Sequence, residues 1–157
     1  MRLEPAEIAL SPDLKELERA MQFIEDHGGR LGLSKRQRLH LQLACEEWFI
    51  NVVRHGFGEN AADRAEKPHI RISAFPARPG EIALRLVDNG PAFNPLEYPD
   101  PDLNLPAGER PIGGLGIYLI KKLADSIEYR RHEGQNQLTL RMKLTGGNEN
   151  GEGNRWN

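Results

Sequence analysis

Four segments of alternating apolar and polar residues come in two pairs, each separated by a short turn. The first pair is HIRISAF (69–75) and EIALRLVD (81–88), joined through Arg-Pro-Gly; the second is SIEYRR (126–131) and QLTLRMKL (137–144), joined through Glu-Gly-Gln-Asn (133–136). Alternation with a period of two is typical of strands that bury one face, and short turns make paired strands antiparallel. A sheet with one buried face needs a second layer over that face, so the pairs predict a two-layer fold.

Three helical segments predict the covering layer. Ser11 is the predicted N-cap of the first, Pro12 is its first residue, and Gly28-Gly29 ends it. A Ser34-x-x-Gln37 capping box opens the second, which runs to about His55, and the third spans residues 113–125. With a weak strand at residues 3–10, the order is β-α-α-β-β-loop-α-β-β. This order predicts an α/β (α+β) two-layer sandwich, with a mixed, mostly antiparallel sheet covered on one face by three helices.

The stretch between the strand at residues 81–88 and the third helix differs from the rest of the chain in composition and pattern. Residues 91–111 hold six of the 11 prolines and show no sustained periodicity. A loop of this length inside a compact domain is usually a lid or a binding loop, so we expect a lid at about residues 91–112. The length of 157 residues suits one domain, which we place at residues 1–145. The polar, glycine-rich residues 146–157 predict a disordered tail.

Composition narrows the class of protein. The net charge is -2, with 21 basic and 23 acidic residues, which argues against a nucleic-acid or membrane-surface protein. The single cysteine excludes an internal disulfide and a cysteine-based metal site. The N-terminus lacks the pattern of a signal peptide, and no apolar run approaches the ~18 residues of a membrane span. We therefore expect a soluble cytoplasmic protein.

Polar residues recur at every fourth position in the second helix, at Glu47, Asn51 and His55. Four helical residues turn the chain by only ~40° beyond one full turn, so these side chains form one strip. Two apolar stripes flank the strip, comprising Leu39, Leu43, Ile50 and Phe57 on one side and Leu41, Cys45, Trp48 and Val52 on the other. A polar strip on a helix enclosed on two sides must face a partner or a wet cavity. The alternative is that these side chains only pair along the surface or cap a neighbouring element. Glu46 points into a stripe, so Glu47 is the favoured working carboxylate.

Two further motifs contain glycine. Asp88 ends an apolar strand and is followed by Asn89-Gly90, where a fixed carboxylate would accept from a ligand amino group and glycine would let the ligand approach. The Gly-Gly-Leu-Gly run at residues 113–116 opens a helix, whose free N–H groups attract anions. Each motif alone is also consistent with an ordinary turn. The second run is neither a Walker A loop nor a dinucleotide fingerprint.

The motifs are much more specific in combination. The ordered set is E-x3-N-x3-H-G on a helix, D-x-G-x-x-F after a strand, a proline-rich loop, and G-G-x-G opening a helix. It resembles the GHKL (histidine-kinase-like) ATP-binding domain shared by gyrase, Hsp90, MutL and histidine kinases. Within that family it looks closest to the anti-sigma-factor serine/threonine kinases of the RsbW type. The resemblance covers Leu3 to about Leu144 and implies a Bergerat-type ATP-binding fold.

The resemblance also implies a role for each matching residue, with ATP and Mg²⁺ as cofactors. Glu47 would be the general base, Asn51 would offer an amide oxygen to Mg²⁺, and Asp88 would accept from the adenine amino group. Of the remaining cofactor-binding candidates, Gly90 would line the base pocket, Gly114 and Gly116 would let backbone N–H groups hold the phosphates, and Arg110 would lie near the γ-phosphate. The glycine motifs add Phe93, Gly113 and Leu115 as cofactor-binding candidates. Two roles remain open for His55, which are contact with the phosphate side and support of Asn51.

The resemblance further implies an activity. It indicates an ATP-dependent protein kinase that phosphorylates a serine or threonine of an anti-anti-sigma (STAS-type) partner and sequesters a sigma factor. It is also compatible with a homodimer. The chain has no room for the helical dimerisation domain of a histidine kinase or the transducer domains of a gyrase. One alternative is an ATP-binding regulatory module that binds its partner without kinase chemistry. Another is a catalytic fragment of a larger signalling protein, which the intact-looking termini disfavour.

Overall fold

The part of the chain that the structure describes contains five strands and three α-helices. The computed structural model describes residues 5–57, 66–102, 104–106, 108 and 115–145, with only the backbone at 115. The strands are β1 (Ala6–Leu10), β2 (Ile70–Arg78), β3 (Glu81–Asp88), β4 (Ser126–His132) and β5 (Gln135–Lys143), and the helices are α1 (Leu17–Arg30), α2 (Lys35–Asn51) and α3 (Leu115–Leu123). The strands lie in the order β1-β2-β3-β5-β4, and each of these pairs is antiparallel. The predicted two-layer sandwich is confirmed.

The core lies between the sheet and the helices. Every second residue of the central strands points into it, as the alternation predicts. The largest fully buried aliphatic and aromatic side chains are Ile24, Leu41, Phe49 and Ile120 from the helices and Ile70, Ile72, Leu84, Leu86, Leu138 and Leu140 from the strands. None of the helices in the described ranges combines the length and the apolar character that crossing a membrane requires.

The first helix begins later than its sequence predicts. Asp13, not Ser11, is the N-cap, because its carboxylate accepts from the backbone N–H of Lys15 at 2.9 Å. This cap opens a 3-10 turn at Leu14–Glu16 that leads into α1. Aspartate caps a helix as well as serine does, so the sequence offered two candidates two residues apart and the prediction chose the wrong one.

The first helix also ends later than predicted. It continues through Gly28-Gly29 to Arg30, and the chain leaves it at Gly32, where φ is +98°. A Cβ added to Gly28 would lie 3.3 Å from the side chains of both Leu33 and Arg38. Gly28 therefore serves close packing against α2, and Gly32 is the glycine that adopts the left-handed conformation at the helix end.

The second helix is enclosed on one side only. Its predicted capping box is confirmed, with Ser34 Oγ accepting from Gln37 N–H and Gln37 Oε1 accepting from Ser34 N–H, both at 3.1 Å. The stripe containing Leu41 is buried, but Leu39 and Leu43 are 52% and 42% exposed, so the predicted second buried stripe is wrong there. The reason is tertiary: α1 and α3 pack beside α2 in the same layer and leave its outer face to solvent.

Two irregular segments shape the end of the molecule where the predicted motifs lie. After Asn51 the helix widens into a π-helical segment at Val52–Gly56, a form often found at functional sites. The β4–β5 turn consists of Glu133 and Gly134, with φ of +49° and +74°, the left-handed pair typical of two-residue hairpin turns. The sequence placed residues 133–136 in that turn, whereas Gln135 and Asn136 belong to β5.

The described residues of the predicted lid contact α3. They include a 3-10 turn at Pro95–Glu97, capped by Asn94. Lys121 of α3 donates to the carbonyl of Tyr98 at 3.0 Å and pairs with Asp100 at 2.6 Å. These contacts hold the first half of the predicted lid beside the third helix.

Candidate functional site

A cavity of about 440 Å³ lies where α2 and β3 both end. Residues 91–98 of the predicted lid line one part of it, α3 forms another wall, and β4 and β5 contribute a third. Its lining residues are Trp48, Asn51, Val52, His55, Gly56, Asp88, Pro91, Ala92, Phe93, Pro95, Tyr98, Ile117, Ile120, Tyr129, Asn136 and Leu138. The cavity is mostly apolar and aromatic with a few convergent polar groups, as small-molecule sites usually are.

Asp88 is the buried carboxylate of this cavity. It is the last residue of β3 and is only 4% exposed. Its Oδ1 accepts from the backbone N–H of Gly90 at 2.9 Å and from Asn136 Nδ2 at 3.0 Å. Two donors on one oxygen fix the orientation of the carboxylate, so Asp88 is a preorganised hydrogen-bond acceptor.

Gly90 lies where the loop after β3 touches the π-helical segment. A Cβ added to Gly90 would stand 2.5 Å from the carbonyl oxygen of Gly56 and 2.9 Å from Asp88 Oδ1. Only glycine permits this approach of two backbones. The carbonyl of Gly90 also accepts from Arg131 Nη1 at 2.8 Å, so β4 reaches across to support the loop.

Asn89 anchors the same loop on its other side. Its side chain is 1% exposed, accepts from the backbone N–H of His69 at 2.9 Å and donates to the carbonyl of Lys67 at 3.0 Å. The sequence indicated only a turn former at this position. The structure shows an amide that binds the segment leading into β2 to the end of β3.

Asn136 and Tyr129 are polar cavity residues that the sequence did not single out. Asn136 pairs with Asp88 in the β3–β5 register and is 7% exposed. Tyr129 donates its hydroxyl to Asn136 Oδ1 at 2.6 Å. Burial raises the pKa of Tyr129, so the hydroxyl keeps its proton near neutral pH. The sequence would have indicated Asn136 if the predicted β4–β5 turn had been limited to Glu133 and Gly134. Asn136 then belongs to the strand beside Asp88.

Glu47 lies at the contact between α2 and α3. The three atoms nearest to a Cβ built on Gly116 all belong to Glu47, and one of its carboxylate oxygens would overlap that Cβ. Gly116 therefore makes room for the carboxylate in the first turn of α3. Glu46 and Glu47 are both half-buried, and the structure gives this contact to Glu47.

Asn51 and His55, which follow Glu47 along the chain, both line the cavity. Asn51 is the last residue of α2 and half-buried, whereas His55 is exposed and lies within the π-helical segment. The α-helical spacing of the predicted strip therefore applies from Glu47 to Asn51 and changes before His55.

The outer wall of the cavity is aromatic. Phe93 and Tyr98 face each other with ring centroids 6.5 Å apart at 57°. Phe93 is 50% exposed, and its backbone N–H donates to Asn136 Oδ1 at 3.1 Å. Exposed aromatic faces at the mouth of an apolar cavity can stack on a planar ligand.

Several predicted phosphate-side residues lie outside the described part of the chain. These are Arg110, Gly113 and Gly114, and of Leu115 the structure describes only the backbone. Gly116 and Ile117 are described and place the beginning of α3 against Glu47 and the cavity.

In the described part of the chain, protein ligands for a metal are sparse around the cavity. Among the described residues, no group of three or more His, Cys, Asp and Glu side chains is arranged to hold a metal ion. The amide oxygen of Asn51 is a hard-cation ligand of the type that Mg²⁺ accepts, but one such ligand suits Mg²⁺ only when a bound phosphate supplies others.

The sequence matches a known domain family and named relatives. Residues 10–142 match the family described as the histidine kinase-like ATPase domain. The chain is 31% identical over 123 residues to the serine/threonine-protein kinase BtrW of Bordetella bronchiseptica, covering 77% of this chain and 81% of that protein. It is 28% identical over 113 residues to the serine-protein kinase RsbW of Bacillus mycoides, covering 69% of this chain and 66% of that protein.

Solved structures share the fold at low sequence identity. The crystal structure of the RsbU and RsbW domains of Rv1364c from Mycobacterium tuberculosis aligns with a TM-score of 0.60 and 16% identity, covering 90% of this chain and 32% of that one. The histidine kinase domain of a blue-light activated histidine kinase from Erythrobacter litoralis aligns with a TM-score of 0.52 and 15% identity, covering 83% of this chain and 60% of that one. At these identities the likeness shows a shared architecture.

Proposed function

The chain belongs to the histidine kinase-like ATPase domain family, and from that premise we propose that it is an ATP- and Mg²⁺-dependent serine/threonine protein kinase. Its substrate is an anti-anti-sigma (STAS-type) protein, and it sequesters a sigma factor when it does not hold that substrate. The observation that carries the proposal is the cavity itself, which is lined by the fixed carboxylate of Asp88 and by Asn51. Glu47 lies one helical turn before Asn51 on α2 and contacts Gly116 at the beginning of α3.

The base end of the cavity fits adenine. The planar aromatic face of adenine matches the walls formed by Phe93 and Tyr98, and its exocyclic amino group matches an acceptor such as Asp88. Gly90 lets the base approach the backbone beside that carboxylate. A guanine carries a carbonyl oxygen where adenine carries the amino group, so the same acceptor disfavours it.

The phosphate end is assigned to the border between α2 and α3. A helix start presents backbone N–H groups that have no partner within the helix, and these attract anions. We assign those of the first turn of α3 to this role. We assign the glycines at 113, 114 and 116, with Arg110, to the phosphates. Asn51 would hold Mg²⁺ together with the phosphate oxygens, and the ion would neutralise charge on the transferring group.

Glu47 is the residue we assign to proton transfer. The acceptor hydroxyl oxygen forms a bond to the γ-phosphorus while the bond from that phosphorus to the β–γ bridging oxygen breaks, and ADP leaves. The hydroxyl proton passes to the Glu47 carboxylate. Phosphoryl transfer depends mainly on positioning and charge neutralisation, so a single carboxylate beside an anion site is sufficient. For His55 we retain both roles, contact with the phosphate side and support of Asn51.

The substrate class rests on the relatives. BtrW is named a serine/threonine-protein kinase and RsbW a serine-protein kinase, and both match most of this chain. An acceptor hydroxyl on a partner protein agrees with the position of Glu47, which is half-buried rather than enclosed. We place the protein in the cytoplasm, where ATP and sigma factors are found together.

Phosphotransfer from radiolabelled ATP to a STAS-type protein from the same genome tests the proposal. Glu47→Ala removes the proposed base, and we expect phosphotransfer to fall by roughly 100-fold or more while ATP still binds. Glu46→Ala is the matched control, because it removes the adjacent glutamate from the same helix turn. We expect it to retain phosphotransfer close to the wild-type rate.

Two results would contradict parts of the proposed kinase activity. Equal phosphotransfer by wild type and Glu47→Ala would remove the role of Glu47. Wild-type protein that binds ATP and the partner but transfers no phosphate would identify a regulatory module without kinase chemistry.

A further inference from the structure

Asn136 forms four hydrogen bonds at the base end of the cavity. Its Nδ2 donates to Asp88 Oδ1 at 3.0 Å and to the carbonyl of Pro91 at 2.9 Å. Its Oδ1 accepts from the hydroxyl of Tyr129 at 2.6 Å and from the backbone N–H of Phe93 at 3.1 Å. Two donors and two acceptors around one amide fix which end is oxygen and which is nitrogen, and they use its full hydrogen-bonding capacity.

These bonds connect the nucleobase acceptor to the beginning of the lid. Asp88 ends β3, Pro91 and Phe93 open the lid, and Tyr129 reaches in from β4. Without Asn136 the Asp88 carboxylate would retain the N–H of Gly90 and lose the side-chain donor from β5. The hydroxyl of Tyr129 polarises the amide by donating to its oxygen, which strengthens the donation from the nitrogen to Asp88.

We propose that Asn136 is a positioning residue for base selectivity, one that orients the Asp88 carboxylate toward the adenine amino group and aligns the lid entrance with it. This inference rests on the proposed function, because it assigns Asp88 to the base of ATP. Asn136 itself does not contact the reacting atoms. Its effect is on discrimination between nucleotides that carry the amino group and those that lack it.

A structural role alone has a different consequence. If Asn136 only holds the lid entrance in place, its loss weakens all purine nucleotides alike. If it acts through Asp88, its loss weakens ATP more than purine riboside triphosphate, which has the same ring and phosphates but no 6-amino group. The ratio of the two dissociation constants therefore separates the two roles.

The experiment measures that ratio by calorimetry for the full chain and three variants. We expect wild type to prefer ATP, and Asn136→Ala to reduce the preference by about 10-fold, the effect of one hydrogen bond to a charged group. Tyr129→Phe removes one donor to the amide and should reduce the preference in the same direction by less. Gln137→Ala is the matched control, since it removes a neighbouring amide from β5 on the opposite face of the sheet.

Each outcome has one meaning. An unchanged ratio in Asn136→Ala contradicts the inference and leaves the proposed function intact. If Asn136→Ala does not fold, Tyr129→Phe decides, and an unchanged ratio in that variant contradicts the inference. Wild-type protein that binds neither nucleotide contradicts the proposed function, and the inference with it.

Discussion

At the scale of single residues, the candidate site depends on glycine where two elements touch. Gly90 admits the carbonyl of Gly56, and Gly116 admits the carboxylate of Glu47. The two contacts differ in how easily the atom that meets the added Cβ can move away. The carbonyl at 56 belongs to the backbone, whereas the carboxylate at 47 is the end of a flexible side chain. A methyl group at 116 should therefore move the carboxylate and leave the fold intact.

Gly116→Ala tests this contact. We expect kcat for phosphotransfer to fall about 10-fold or more, because the Glu47 carboxylate, the proposed base, would be displaced from the acceptor hydroxyl. Stability should be unchanged or higher by up to ~1 kcal/mol, since alanine is the better helix former. Steady-state kinetics and thermal melting measure the two effects separately.

Gly29→Ala in α1 is the control for that substitution. Its new Cβ would meet the side chain of Arg38 only at 3.8 Å and beyond, an ordinary contact distance. It should leave kcat unchanged. A fall in ATP affinity with unchanged kcat in Gly116→Ala would show that the phosphates, and not Glu47, respond to the methyl group.

The sequence indicated the residues of the site that follow local patterns. Glu47 and Asn51 are in step on one helix, and Asp88 ends a clear strand. Asn136 could not be found in this way, because its partner Asp88 is 48 positions away and the contact exists only in the correct β3–β5 register. Arg131, which supports Gly90 from β4, was missed for the same reason.

At the scale of the elements, caps decide where the helices begin. The capping box of Ser34 and Gln37 matched the sequence pattern, whereas the predicted cap at Ser11 gave way to Asp13. Gln37 has a second role, because its Nε2 donates to the carbonyl of Lys143 at 2.6 Å and connects the start of α2 to the end of β5.

Ser34→Ala should therefore cost about 1 kcal/mol of unfolding free energy, the usual effect of losing an N-cap side chain. Urea unfolding followed by circular dichroism measures it. Ser11→Ala is the matched control and should change the unfolding free energy by only a few tenths of a kcal/mol, about the effect of a surface substitution. An equal decrease in unfolding free energy in both variants would show that Ser11 caps the helix and would contradict the assignment to Asp13.

At the scale of the whole molecule, the core protects the single thiol. Cys45 is 0% exposed between α2 and the sheet, and burial, followed by the charge of Glu46, raises its pKa from 9.0 to about 12. A folded thiol that holds its proton more tightly than the unfolded one stabilises the fold below pH 9. This contribution is lost as the pH rises through about 12.

Thiol labelling at pH 8 should accordingly report global unfolding. We expect Ellman's reagent to react slowly with the native protein and at once in denaturant, because the reactive thiolate forms only after the core opens. Added denaturant should accelerate the reaction in parallel with unfolding. Fast labelling of the native protein would show that the layer formed by α2 opens locally.

The element order and the two layers followed from the sequence, because alternation and capping are local properties. The faces of α2 did not follow, since the exposure of Leu39 and Leu43 depends on which helices lie beside them. Likewise Gly28 looked like a helix end and is a packing position. In each case the decisive contact joins residues that are distant in the sequence or belong to separate elements.

The central claim is that the cavity binds ATP through Asp88, and calorimetry of ATP with Asp88→Asn tests it most directly. Asp88 Oδ1 accepts from Gly90 and Asn136, so asparagine would keep its oxygen there and turn its amide nitrogen toward the ligand. A donor facing the adenine amino group should weaken ATP binding by about 10-fold or more. Asp26→Asn, at an exposed position of α1, should bind ATP like wild type. Wild-type affinity in a folded Asp88→Asn variant would contradict the claim.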